Sequence, residues 1–247
     1  MKAIRELFAL LIFLAPLCDA QILTPILTGA AVSGGGSNTV TVITGQAISA
    51  ATASTKSITV GSNVLLIASC NVGVAGATAT WNGASMTLDN STAYNGATTT
   101  YVWSLYVTSG GTHNLTASWS GSHSSACQYL TVTSTLTSSI TDQTAAANTT
   151  TSGSPSSGAT ATTSQNDEFL YGVIGCQYSG NNDAALGGAW SNSFTPAQDT
   201  HGTIPINIGS GYNTVSSTGA YTAAKTGITT TNLVACGSVI VTYKNNF

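Results

Sequence analysis

Four short segments constrain this chain more than any other feature. They are NVLLIASC (Asn63 to Cys70), ACQYLTVT (Ala126 to Thr133), EFLYGVIGC (Glu168 to Cys176) and VACGSVIVTY (Val234 to Tyr243). Each is almost continuously apolar and carries a cysteine near one end. None approaches the ~20 apolar residues of a membrane-spanning helix, and none spaces its apolar residues as a helix does. They read as central strands of packed sheets. Elsewhere apolar and polar residues alternate. TATWNG (Thr78 to Gly83) points Ala79 and Trp81 one way. TYVWSLYVT (Thr100 to Thr108) places Tyr101, Trp103, Leu105 and Val107 together, and HNLTASWS (His113 to Ser120) does the same with Leu115, Ala117 and Trp119. Such strands are expected to have one dry and one wet face, with Trp81, Trp103 and Trp119 in the core. The expectation is an all-β chain of antiparallel strands.

The N-terminus predicts the compartment. Lys2 and Arg5 precede the apolar run LFALLIFLAPL and the small-ended triplet Cys18 to Ala20, the pattern of a secretory signal peptide over residues 1–20, cleaved before Gln21. Leu17 is not the small residue that lipidation of Cys18 would want. Secretion, with an extracellular or cell-surface location, is the expectation, and no later segment is long and apolar enough to span a membrane. After cleavage the cations are Lys56, Lys225 and Lys244, and the anions are Asp89, Asp142, Asp167, Glu168, Asp183 and Asp199. No arginine remains to form a phosphate-binding surface, which argues against nucleic acid and against anionic membranes as partners. A charged fraction of 5% with 42% hydrophobic residues also argues against disorder.

Four cysteines survive cleavage: Cys70, Cys127, Cys176 and Cys236. An even number in a secreted chain predicts two disulfides. Cys70 and Cys176 end their segments, whereas Cys127 and Cys236 begin theirs, so antiparallel strands would gather all four at one end. The sequence leaves the connectivity open. A four-cysteine zinc site lacks the usual close CxxC pairs, and a nucleophile lacks a recognisable local motif. The order apolar strand, cysteine, tryptophan, second cysteine-bearing strand occurs twice, which suggests two similar halves. Between them Thr137 to Asp167 is small, polar and Gly/Pro-containing. It reads either as an inter-half linker or as a long loop with a surface strand GATATTS. Each half alone would expose strand edges, so one domain over residues 21–247 is favoured.

The succession LLIAS, WNGASMTL, YVWSLYV, GTHNLTASWSGS, ACQYLTV, closed by YTAAKTGITTTNLVACGSVIVTYK, resembles a β-sandwich module of bacterial and phage-associated extracellular proteins. The resemblance spans most of Asn63 to Lys244 and rests on turn and core residues. It implies a jelly-roll-like antiparallel sandwich and supplies no catalytic residues. The cysteines depart from it, since small aliphatics usually stand at their positions.

No Walker, dinucleotide, G-x-S-x-G or H-E-x-x-H motif occurs. Asp167 and Glu168 are adjacent, so on a strand they point to opposite faces and read as a polar strand start rather than the facing pair of a glycosidase. Asn181, Asn182 and Asp183 offer oxygen ligands in a turn without the spacing of a calcium loop; neither a metal nor a cofactor is expected. His113, His123 and His201 read as surface residues. Asn90, Asn114 and Asn148 match the N-glycan acceptor pattern. Tyr94, Tyr106, Tyr178, Trp190 and Tyr212 fall outside the alternating apolar faces and are the candidates for exposed aromatic platforms, with Asn181, Asn182 and Asp183 as polar partners for sugar hydroxyls. The expected function is a non-enzymatic adhesion or carbohydrate-recognition module with glycans or a cell-surface component as partner. The alternatives are a structural protein of a virion or extracellular assembly, and a polysaccharide-active hydrolase.

Overall fold

The computed structural model describes residues 38–246 apart from 134, 151 and 183, so the expected signal peptide and Asp183 lie outside the described residues. Fourteen strands follow one another: β1 (Val40–Val60), β2 (Val64–Val72), β3 (Thr78–Trp81), β4 (Ala84–Ser85), β5 (Thr87–Tyr94), β6 (Thr98–Val107), β7 (Gly111–Val132), β8 (Thr141–Thr150), β9 (Asp167–Tyr178), β10 (Gly187–Trp190), β11 (Thr195–Thr200), β12 (Ile206–Ser216), β13 (Lys225–Ile228) and β14 (Leu233–Lys244). The described residues contain no helix. Strand pairing is antiparallel throughout. One sheet has the order β4-β3-β7-β2-β6-β5 with β1 also on β7; a second has the order β11-β12-β9-β14-β8; β10 and β13 form a separate ribbon.

Two hairpins are turned by Asn-Gly. Asn82 and Gly83 have φ of 50° and 77°, and Asn95 and Gly96 have 41° and 82°. At Asn82–Gly83 these are the left-handed conformations that a two-residue hairpin turn matching the strand twist requires, and Asn followed by Gly tolerates them best; at Asn95–Gly96 the turn has a third residue, Ala97, because Tyr94 pairs with Thr98.

The first sheet curls because its longest ribbon bends. β7 carries Gly121 at φ 76° in mid-strand, and its partner β1 carries Ala50 at φ 52° with register shifts on either side of Ala51. Before the bend β7 pairs with β3, and after it with β2. The bent arm lays Ile58, Val60, Leu115, Ala117 and Trp119 over Leu66, Ala68, Cys70, Tyr101 and Trp103, with Trp81 and Tyr129 in the same apolar cluster. All three tryptophans expected in the core are there. The other face of β2, β6 and β7 meets β9, β12 and β14 in a second cluster that includes Leu65, Ile67, Val102, Leu130, Phe169, Tyr171, Val239 and Val241. Central strands are therefore dry on both sides, which explains the apolar runs of β2, β9 and β14. The wet face expected for β6 is absent: Thr98, Thr100 and Ser104 are buried because the second sheet covers them.

The contact between the sheets is apolar at one end and polar at the other. At the polar end Asn71 Nδ2 donates to the carbonyls of Cys176 and Asn207 at 3.1 Å each, Tyr94 OH donates to Asn71 Oδ1 at 2.7 Å, and Gln128 Nε2 donates to the Ile208 carbonyl at 2.8 Å. Room for this network comes from Gly175 and Gly237, which face each other across β9 and β14. A Cβ on Gly237 would sit 2.5 Å from Tyr94 Cδ1, and one on Gly175 would sit 2.7 Å from Asn71 Cγ.

Among the described residues two disulfides are present, and each lies within one sheet. Cys70–Cys127 spans 57 residues and Cys176–Cys236 spans 60. Each joins residues directly opposite one another on β2 and β7 or on β9 and β14. Cα separations of 4.1 and 4.0 Å fit the close spacing of non-hydrogen-bonded antiparallel pairs. The hydrogen bond from Asn71 to Cys176 places both bridges at the same end. The segment Thr137 to Asp167 is neither a free linker nor a plain loop: it contains β8, which pairs with β14. The strand expected at GATATTS is instead an extended strap, tied to residues 219–223 by bonds from Ser157, Thr160 and Thr163 N–H to the Ala223, Tyr221 and Gly219 carbonyls.

Candidate functional site

The outer face of the second sheet presents glycines where side chains would otherwise stand. Gly172 of β9 and Gly211 of β12 are opposite one another. The indole of Trp190 lies over them, so close that a Cβ on Gly211 would be 2.9 Å from its Cε2. Trp190 is half-buried, and Phe194 stacks beside it with ring centroids 5.7 Å apart. Directly across the β10–β13 ribbon stands Lys225. Its Nζ is 5.6 Å from the centre of the Trp190 ring, in cation–π range. The lysine is 5% exposed. Burial lowers the pKa of Lys225, and the Asp199 carboxylate acts against that shift.

Asp199 is exposed on β11, and both its oxygens accept the Leu186 N–H, at 3.1 and 3.0 Å. Trp190, Pro196, Asp199, Lys225 and the backbone of Gly187 and Gly188 line a crevice of about 260 Å³. Asp199 also lines a polar groove of about 460 Å³ along β1 and β11, with Thr44, Gln46, Thr200 and His201. A flat apolar ring, a buried ammonium and an exposed carboxylate thus converge where two depressions meet. They can supply a stacking surface, a donor and an acceptor to a polar ligand extended across Asp199.

The candidate residues do not form one site. Trp190 is at the crevice. Tyr178 is nearby but only 2% exposed, because it ends the doubly covered strand β9 and packs with Leu186 and Cys236; burial, with Asp199 adding to it, pushes its hydroxyl up to about 12. Asn182 holds its own turn, its N–H donating to the Ile204 carbonyl and its Oδ1 accepting the Ala184 N–H. Asn181 is exposed in the same loop. Tyr94, also expected to be exposed, is 3% exposed and inserted between the sheets on Asn71. Tyr212 stacks on Phe169 at 5.8 Å and is half-buried. Tyr106 borders a groove of about 450 Å³ on the other sheet; the carboxylate there, Asp89, is already engaged by Thr141 at 2.7 Å and Tyr243 at 2.9 Å. That groove is larger, but its carboxylate is held from within. Sequence reasoning missed Asp199 and Lys225. The scarcity of cations was the available signal: with three lysines in the expected mature chain, each one merited attention.

Among the described residues no group of three or more His, Cys, Asp or Glu is placed to hold a metal ion, and no helix is long and apolar enough to cross a membrane. Comparison of the chain with protein families, with characterised proteins and with solved structures finds no match.

Proposed function

We propose that this protein is a secreted, non-enzymatic recognition module that binds carbohydrate on a cell surface or in an extracellular matrix. The convergence of Trp190, Lys225 and Asp199 carries the reading. An aromatic face takes the apolar face of a sugar ring, while a carboxylate and an ammonium take its hydroxyls. The adjoining groove on the far side of Asp199 suits an oligosaccharide rather than a single ring. We take the two packed sheets as a jelly-roll-like sandwich forming one domain over residues 21–247, with the two disulfide-bearing halves as its pseudo-repeat. Among the described residues the crevice has Asp199 as its carboxylate, whereas glycoside hydrolysis generally uses two, about 5–9.5 Å apart across the bond; this favours binding over cleavage. The test is a glycan array probed with the mature chain, followed by titration of the best ligand. Trp190→Ala is expected to weaken binding about tenfold or more, the effect of losing a central aromatic anchor. No bound glycan, or equal affinity in Trp190→Ala, would remove the reading.

A further inference from the structure

On the same sheet, away from the crevice, three side chains from adjacent strands meet. Lys244 of β14 is directly opposite Glu168 of β9, and Asp142 comes from β8 on the other side of β14. Lys244 Nζ is 3.3 Å from Asp142 Oδ1, and the Asp142 side chain is 4% exposed. Glu168 is fully buried, and neither of its oxygens has a hydrogen bond of normal geometry. Asp142, Thr242 and Lys244 are the polar groups near enough to act on it. Ser164 closes the site from the strap, its N–H donating to Asp142 Oδ2 and its hydroxyl to Oδ1, at 2.6 Å each. A buried carboxyl so poorly hydrogen-bonded is costly and calls for an explanation.

We propose that Lys244 and Asp142 join through an intramolecular isopeptide bond between Nζ and Cγ, with Glu168 as the proton carrier. The Lys244 ammonium first passes a proton to Asp142, leaving a neutral amine beside a neutral acid. Lys244 is partly exposed and hydrogen bonds hold Asp142 ionised, so this exchange is the slow, uphill step of the reaction. The Nζ lone pair then attacks Cγ, and the Ser164 N–H lies on Oδ2, where negative charge develops. Glu168 gives its proton to the departing hydroxyl and takes the second proton from Nζ. One C–N bond forms, one C–O bond breaks, one water leaves and Glu168 ends as it began; no oxidant is needed. Burial, reinforced by Asp142, holds Glu168 protonated up to about pH 8, the state this role requires. The bond would tie the edge strand β8 to β14 covalently. The inference is independent of the crevice and its ligand.

The test is the intact mass of the full mature chain with its disulfides reduced. The expected mass is one water below the sum of the residues. Trypsin, although it cuts after Lys225, should leave the C-terminal fragment attached to the fragment containing Asp142. Lys244→Arg, with folding checked by circular dichroism, should show the full mass and release that fragment. Glu168→Gln should slow bond formation about a hundredfold or more, as loss of a general acid–base does. A folded wild-type chain at full mass overturns the proposal, as does water loss that persists in Lys244→Arg. Cross-linking in Glu168→Gln as fast as in wild type overturns the role of Glu168.

Discussion

Glu168 shows how far a single residue's chemistry depends on what lies opposite it. Burial and the neighbouring Asp142 push its carboxyl up to about 8 from an ordinary value near 4.5. For Asp142, burial would raise the pKa, but hydrogen bonds from Glu168, Ser164 and Lys244 outweigh it and pull the value down to about 2. The two shifts have opposite consequences. A raised acid binds its proton more tightly when folded, so Glu168 contributes stability below pH 4.5 that is lost as the pH rises towards 8. The depressed acid contributes stability above its ordinary value, lost as the pH falls towards 2. In the Lys244→Arg chain, which keeps the charge but forms no amide, unfolding free energy should fall between pH 5 and 8, by at most about 1.4 kcal/mol per pH unit. Adding Glu168→Gln should flatten that slope. Guanidinium unfolding across this range measures it, and an unchanged slope in the double variant would show that Glu168 is not its source.

Among the elements, β9 and β14 are buried along nearly their whole length, and their disulfide lies at the end where the interior turns polar. Cys176–Cys236 closes 60 residues of chain. A loop of that size restricts the unfolded chain enough to give about 2–4 kcal/mol. Replacing both cysteines with alanine should cost that much in denaturant unfolding, without the cavity a larger deletion would leave. A loss below about 1 kcal/mol would mean that the register of β9 on β14 is held by the remaining side chains alone. The bent ribbon of β1 and β7 makes a second point at this scale. Its alternation is visible in the residues of HNLTASWS, but the bend at Gly121 is not. Gly121 stands in a run of small polar residues that reads equally well as a turn between separate strands.

At the scale of the whole molecule, the two sheets are joined at their polar end by Asn71. Its amide satisfies two carbonyls of the second sheet and one hydroxyl of the first. Asn71→Ala should cost about 3–5 kcal/mol, since three buried groups lose their partner at once. A shift in unfolding midpoint equivalent to less than about 1 kcal/mol would show that water replaces the amide. Much of this architecture was legible beforehand. The four central strands, the three core tryptophans and the cysteines as staples all follow from local pattern. The candidate site was barely legible: Trp190 was singled out, but Tyr94 and Tyr178 were expected outside and are inside. Alternation tells which side of a strand a residue takes, not whether another layer covers that side.

That distinction separates what the residues determined by themselves from what folding decided. Period-two alternation, β-branched runs and strand-end cysteines act within a few residues, and they suffice to specify an all-β chain whose cysteines can meet. Which cysteine bonds with which, which polar faces are covered, and the meeting of Asp142, Glu168 and Lys244 depend on strand order. Strand order is a property of the packed whole, because residues far apart in the chain become neighbours only when the sheets close on their shared core.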